Sequence, residues 1–140
     1  YRLAFQVSLI GDPAIRDRFS EILESAGKRL ADWLNEHCSE PSLLHGDLWS
    51  GNAMFDDEAA WLIDPAVYYG DSEADLAMTE MFGGFGQAFY QAYSQSRPLS
   101  GEYRRKREIY NLYHFLNHYN LFGGWYLGPC ETGFQMIGTL

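Results

Sequence analysis

A long amphipathic helix near the start of the chain is the feature that most limits its fold. Asp12 and Pro13 form a helix-entry signal, because an Asp side chain can accept hydrogen bonds from the first free N–H groups and proline suits the first helical position. Apolar residues then recur every three or four positions: Ile15, Phe19, Ile22, Leu23, Ala26, Leu30, Trp33 and Leu34. This spacing predicts one helix from Pro13 to about Cys38 with a single apolar face.

A short strand-forming segment follows this helix. Residues 42–44 form an apolar run that leads directly into His45. Residues 53–55 and 61–63 are two further apolar runs, and the acidic residues between them favour a turn, so the pair predicts a β-hairpin. The second arm of the hairpin ends at Asp64.

The remaining patterns are helical. Asp71 and Ser72 can cap a helix that Gly83 and Gly84 would end. Further helices are predicted over residues 85–93 and from about Tyr103 to Phe122. We therefore expect a mainly helical α+β fold in a single domain that covers residues 1–140.

Charge and cysteine content narrow the class of protein. The net charge is −9, which disfavours a nucleic-acid partner because phosphate backbones would be repelled. Cys38 and Cys130 are the only cysteines, and two distant thiols indicate neither a disulfide framework nor a zinc site. We also expect no membrane span and a cytoplasmic location, since no apolar run reaches about 18 residues and no leader pattern opens the chain.

Three oxygen-bearing side chains are predicted to meet at the strand ends. Asp47 follows the first strand, Asn52 lies five residues later, and the hairpin brings Asp64 back beside them. Carboxylate and amide oxygens are the ligands that Mg²⁺ prefers. Phosphoryl transfer needs such a set, with one carboxylate to orient the attacking hydroxyl and others to hold metal ions.

The spacing of these residues matches a protein-kinase catalytic loop. That loop has His-x-Asp, then Asn five residues after the Asp, then a metal-binding Asp after a short hairpin, and His45, Asp47, Asn52 and Asp64 stand at those offsets. Local explanations stay open for each residue: Asp47, Asn52 and Asp64 also suit turns or caps, and His45 is expected to shape the loop more than to act as a base.

The segments 45–52, 63–71 and 73–80 resemble the fructosamine kinase (ketosamine 3-kinase) family, a small-molecule branch of the protein-kinase-like fold. Similarity continues through residues 82–85 and 110–118. The resemblance implies the C-terminal lobe of that fold, with a small hairpin beside the catalytic loop. It implies ATP and Mg²⁺ as cofactors, a ketosamine or other glycated amine as substrate, and a role in protein deglycation.

The resemblance also implies roles for individual residues. Asp47 would be the catalytic base toward a sugar hydroxyl, while Asn52 and Asp64 would bind Mg²⁺. Asp75 would support the catalytic loop, as would His45; a first-turn acid favoured by the helix dipole is the alternative for Asp75.

Three aromatic residues are implied near the substrate. Trp49 would lie against it, although a hydrophobic anchor under the loop explains this residue equally well. Tyr68 and Tyr69 could line the same cleft.

The sequence lacks the glycine-rich loop and the strand lysine with which a kinase binds ATP. Its only dense glycine cluster, residues 83–86, follows the catalytic loop instead of preceding it, and Lys28 lies in a predicted helix instead of a strand. We expect the N-terminal, ATP-cradling lobe to be absent from this chain. The chain alone would then be inactive as a kinase. A second copy of the chain, in a homodimer, is left open as a further partner. Two alternatives stay open: a kinase for choline, homoserine or an aminoglycoside, and a non-catalytic kinase-like binding module.

Overall fold

The computed structural model describes residues 2–38 and 40–140, which form six α-helices and four short strands. Two 3₁₀ turns, at Ser50–Asn52 and Gly124–Tyr126, complete the secondary structure. The bounds are α1 Arg2–Ser8, α2 Pro13–His37, β1 Pro41–Leu44, β2 Ala53–Phe55, β3 Ala60–Leu62, β4 Tyr68–Asp71, α3 Ser72–Met81, α4 Gln87–Ser96, α5 Tyr103–Phe122 and α6 Leu127–Gly138.

The chain divides into two compact units. The helical unit comprises Tyr1–His37 with Glu108–Leu140, and the central unit comprises Cys38–Arg107. No helix in the described part of the chain combines the length and apolarity that crossing a membrane requires.

The helical unit has a tightly packed apolar core. Phe19 of α2 and Phe134 of α6 are both 1% exposed, and their rings stack with centroids 4.0 Å apart. The remaining core members are aliphatic or small: Val7, Ile10, Ala26, Leu30, Ile109, Leu112, Leu116, Cys130 and Ile137. Removing an aromatic side chain from such a core costs about 3–5 kcal/mol, so this ring pair is a main stabilising contact of the helical unit.

The central unit contains two antiparallel two-stranded sheets. β1 pairs with β4 in a register that sets Leu44 opposite Tyr68, and β2 pairs with β3 as a hairpin. The segment 45–52 joins the two sheets. α3 packs on β1, and Leu44 of β1 and Leu76 of α3 are both buried. This segment is called the site loop below.

The predicted helices α2 and α5, the hairpin and the helix α3 are all observed. Asp12 caps α2 through a bond from the Ala14 N–H at 2.9 Å, and Asp71 caps α3 through a bond from the Glu73 N–H at 3.1 Å. α4 lies further toward the C terminus than the predicted 85–93. The elements α1, β4 and α6 were not expected from the sequence.

Candidate active site

The site loop begins where β1 ends and is held by a carboxylate from α3. The backbone N–H groups of His45 and Gly46 donate to the two oxygens of Asp75 at 2.7 and 2.8 Å. Asp75 reaches this position because it lies in the first turn of α3, and α3 follows β4, the strand that pairs with β1. Two charge-assisted hydrogen bonds to one carboxylate therefore fix the backbone of the loop just before Asp47.

Gly46 is required at this point of the loop. Its φ is +81°, in the left-handed region that favours glycine. A Cβ atom placed on it would lie 2.2 Å from the carbonyl oxygen of Ala66. The space above Gly46 is thus filled by the chain segment that follows Asp64.

The His45 side chain ties the loop to the same segment. Its Nε2 lies 2.9 Å from the carbonyl oxygen of Ile63, which can only accept, so Nε2 carries the ring proton. Nδ1 is then the acceptor for the backbone N–H of Asp47 at 3.3 Å. The imidazole is therefore occupied on both nitrogens and shapes the loop.

Asp47 and Asn52 are in direct contact. The Asn52 Nδ2 group donates both to the backbone carbonyl of Asp47 at 2.9 Å and to its carboxylate Oδ2 at 3.0 Å. Asn52 is 7% exposed. Since both amide hydrogens are used, the orientation of the amide is determined, and the Asn52 Oδ1 receives no hydrogen bond from the described residues.

Asp64 lies beyond the hairpin, between two backbone anchors. The Ile63 N–H donates to the Asn52 carbonyl at 3.0 Å, and the Ala66 N–H donates to the His45 carbonyl at 2.8 Å. Asp64 itself has a φ of +51°, a left-handed conformation that costs a non-glycine residue roughly 1–2 kcal/mol. The flanking hydrogen bonds hold this residue in place, and its carboxylate is exposed.

Three side chains of this region carry oxygens of the kind that a hard divalent cation prefers. One carboxylate oxygen of Asp47, the amide oxygen of Asn52 and the carboxylate of Asp64 receive no hydrogen bond from residues 2–38 and 40–140. Such oxygens are the ligands that Mg²⁺ takes together with water and phosphate. Within the described residues no group of three or more His, Cys, Asp and Glu is placed to hold a metal ion.

Trp49 packs on the loop and remains partly accessible. Its indole ring lies over Gly51, where a Cβ atom would approach it to 2.2 Å, and it meets the edge of the Phe82 ring with centroids 6.0 Å apart. Trp49 is 38% exposed. The ring therefore has one packed face and one part that a ligand can reach.

The structure separates the two tyrosines of β4. Neighbouring residues of a strand point to opposite faces. The Tyr68 ring lies beside the backbone of Gly46, 3.1 Å from the position that a Cβ atom would take. Tyr69 is 75% exposed on the other face, so the structure brings Tyr68 to the site loop and leaves Tyr69 away from it.

A buried ion-pair cluster near the loop was missed by the sequence reasoning. Lys106 of α5 lies 2.7 Å from Asp71 and 3.0 Å from Glu73, and Glu73 also accepts from the backbone N–H and the hydroxyl of Ser100. Burial lowers the pKa of Lys106, but its bonds to Asp71 and Glu73 outweigh that effect and raise it overall. The available signal was that Lys106 stands three residues before the buried Ile109, on the apolar side of α5.

Comparisons with known proteins agree on one family. The family model described as fructosamine kinase matches residues 1–137. A probable ketoamine kinase from Vibrio parahaemolyticus is 45% identical over 140 residues, which cover 97% of this chain and 46% of that protein. A chloroplastic protein-ribulosamine 3-kinase from Arabidopsis thaliana is 42% identical over 130 residues, which cover 89% of this chain and 38% of that protein.

Solved structures confirm the expected fold class. The crystal structure of a candidate fructosamine-3-kinase from Thermobifida fusca matches 99% of this chain and 46% of that one, with a TM-score of 0.74 and 29% identity. The mainly helical α+β architecture is thus that of the protein-kinase-like fold. The chain spans less than half the length of these relatives. Because the family model matches nearly the whole sequence, the chain belongs to the fructosamine kinase family.

Proposed function

We propose that this chain supplies the catalytic and metal-binding residues of a kinase that phosphorylates a sugar hydroxyl of ketosamines. The observation that carries this proposal is the site loop, in which Asp75 fixes the backbone while Asp47 and Asn52 are joined by two hydrogen bonds. Relatives named ketoamine kinase and protein-ribulosamine 3-kinase support the choice of substrate class.

Asp47 is the proposed catalytic base. Its Oδ2 accepts a hydrogen bond from Asn52, which leaves the second oxygen to accept the proton of an incoming hydroxyl. The deprotonating oxygen of the sugar attacks the γ-phosphorus of ATP, and the bond from that phosphorus to the bridging oxygen of ADP breaks. The proton moves to Asp47, and the products are ADP and the phosphorylated ketosamine.

Asn52 and Asp64 are the proposed ligands of Mg²⁺. Asn52 comes just before β2 and Asp64 comes shortly after β3, so the two residues flank the hairpin. The amide oxygen of Asn52 and the carboxylate of Asp64 receive no hydrogen bond from the described residues. When bound, Mg²⁺ neutralises negative charge on the phosphates of ATP. The left-handed backbone of Asp64, held by Ile63 and Ala66, would keep its carboxylate at a constant position.

His45 and Asp75 are proposed to position the loop, and Trp49 and Tyr68 to border the acceptor sugar. Both rings contact the backbone of the site loop, at Gly51 and Gly46 respectively. The groups that hold the adenosine of ATP are proposed to lie in a further region of the same protein, since relatives are more than twice as long as this chain. The cytoplasmic location and the homodimer remain predictions.

Substitution of Asp47 tests this function in the intact gene product. With a fructosylated amino acid and ATP, Asp47→Ala should lower kcat by about 10²- to 10⁴-fold, the usual contribution of a general base, with a much smaller change in KM for ATP. Asp57→Ala is the matched control, because Asp57 is an exposed carboxylate in the turn of the hairpin. Release of ADP is the measurement. Full turnover by Asp47→Ala would refute its role as the base.

A further inference from the structure

Phe82 and Gly84 lie against the site loop, although the sequence indicated only the end of a helix there. The Phe82 and Trp49 rings meet edge to face, with centroids 6.0 Å apart. Gly84 approaches Ser50 so closely that a Cβ atom on Gly84 would lie 2.4 Å from the Ser50 Cβ and 2.6 Å from its hydroxyl oxygen. The chain that follows α3 therefore touches two successive residues of the loop.

These contacts form a second anchor of the site loop. The first anchor is Asp75, which lies in the first turn of α3 and accepts the backbone N–H groups of residues 45 and 46. Phe82 and Gly84 come directly after the last turn of the same helix. Since α3 has 10 residues, its two ends are about 15 Å apart. One helix thus fixes the loop both before and after Asp47.

The second anchor acts on the turn that carries Asn52. Ser50 begins the 3₁₀ turn Ser50–Asn52, in which the Asn52 backbone N–H donates to the Trp49 carbonyl at 3.0 Å. The Asn52 side chain donates to the backbone carbonyl and the carboxylate of Asp47. Because the turn is this short, a displacement of Ser50 would also displace the Asn52 amide.

Glycine is required at position 84 for two separate reasons. Its φ is +99°, a conformation that side chains disfavour, and the Ser50 side chain occupies the space where a Cβ atom would lie. The adjacent Gly83 has a φ of +70°, but a Cβ atom on it would meet nothing within 4 Å. The two glycines therefore share a left-handed backbone and differ in their contact with the site loop.

We propose that Gly84 and Phe82 are positioning residues for the metal site, because they fix the turn that presents the Asn52 amide oxygen to Mg²⁺. The inference rests on the proposed function, in which Asn52 is a ligand of Mg²⁺. Groups that orient a metal ligand from outside the coordination sphere typically contribute about 10- to 100-fold to metal affinity or activity. The glycines after α3 then serve the site as well as ending the helix.

Gly84→Ala tests this role in the intact gene product, with Gly83→Ala as the matched control. The methyl group at position 84 would push the Ser50 side chain away by about 1 Å, to reach an ordinary contact distance. Binding of Mn²⁺ in the presence of ADP, measured by electron paramagnetic resonance, should weaken by about tenfold. Gly83→Ala has the same kind of backbone strain without the collision and should bind Mn²⁺ like the wild type.

Removal of the Ser50 side chain should reverse the effect. In Gly84→Ala/Ser50→Gly the nearest remaining atom is the Cα of residue 50, at 3.9 Å from the new methyl group. The loss of Mn²⁺ affinity caused by Gly84→Ala should therefore be much smaller in the Ser50→Gly background. An equal loss in both backgrounds, or no loss in folded Gly84→Ala, would refute the inference.

The side-chain amide of Asn52 reports the position of the turn without any metal. Its NMR signal, observed after selective isotope labelling of asparagine, should shift in Gly84→Ala and stay in place in Gly83→Ala. Phe82→Ala should shift the same signal and serves as the test if Gly84→Ala does not fold, since Phe82 is 43% exposed. An unshifted signal would overturn the inference. A wild-type protein that neither binds Mn²⁺ nor phosphorylates a ketosamine would instead contradict the proposed function, while the amide signal would still decide the positioning role.

Discussion

Lys106 offers a direct test of how burial changes the strength of an ion pair. Its side chain is 2% exposed, and those of Asp71 and Glu73 are 10% and 8% exposed. Lys28 and Asp32 form a pair of the same length, 2.7 Å, but with side chains 89% and 63% exposed. The two lysines therefore separate the effect of burial from that of distance.

Lys106→Met keeps the length of the side chain and removes its charge. Two nearly buried carboxylates then lose their cation, and breaking a buried pair in this way costs about 3–5 kcal/mol. At roughly 2–4 °C for each kcal/mol, the thermal midpoint should fall by on the order of 10 °C. Because Asp71 also caps α3, part of this loss should appear as fraying at the start of that helix.

Circular dichroism of the intact protein at increasing temperature measures the loss. Lys28→Met is the control and should leave the midpoint nearly unchanged, since exposed ion pairs contribute little. Equal midpoints for the two variants would refute the reasoning.

In the wild-type protein, the contribution of Lys106 to stability should decrease only at high pH. Its pKa is raised above the ordinary value of 10.5, so its contribution to stability is fully present below that pH. The contribution is lost only as pH rises through the raised value. Between neutrality and pH 10 the cluster should therefore stay intact.

Two further predictions concern the site loop and the core. Gly46→Ala should destabilise the protein and lower turnover, since its Cβ would collide with a backbone carbonyl. Gly101→Ala, in an exposed turn where a Cβ meets nothing within 4 Å, should be nearly neutral by the same thermal melt and kinase assay. Burial, with a smaller effect of the nearby Glu131 charge, raises the pKa of Cys130 to about 12, so iodoacetamide at mild alkaline pH should label Cys38 and spare Cys130 until the protein is unfolded. Equal labelling of both cysteines by mass spectrometry would contradict the described burial.

Local patterns in the sequence were sufficient for some elements and insufficient for others. α2 and α5 were predicted correctly because each has a long run of apolar residues at helical spacing. α6 contains Gly128, Pro129 and Gly133, which lower its intrinsic helix propensity, so its formation depends on burying Phe134 in the core of the helical unit. The strand β4 likewise depends on a distant partner, β1, and has no strong signal of its own.

In the candidate site, too, some features were visible in local sequence patterns and others depend on tertiary contacts. The offsets of His45, Asp47, Asn52 and Asp64 were visible in the sequence, because these four residues lie within one short segment of the chain. The approach of Asp75 to the loop N–H groups, 29 and 30 residues away, depends on how α3 packs against β1. The opposite faces of Tyr68 and Tyr69 follow only once β4 is known to be a strand.

The amino-acid sequence by itself therefore determined the long helices, the hairpin and the set of polar side chains in the site loop, since these depend on neighbours a few residues apart. Only the tertiary structure decided the buried Lys106 cluster, and it decided between the two roles that the sequence left open for Asp75. It also decided the contact of Gly84 with Ser50. Each of these joins residues that are distant in the chain, and the free energy of burying them together exists only after the elements have packed.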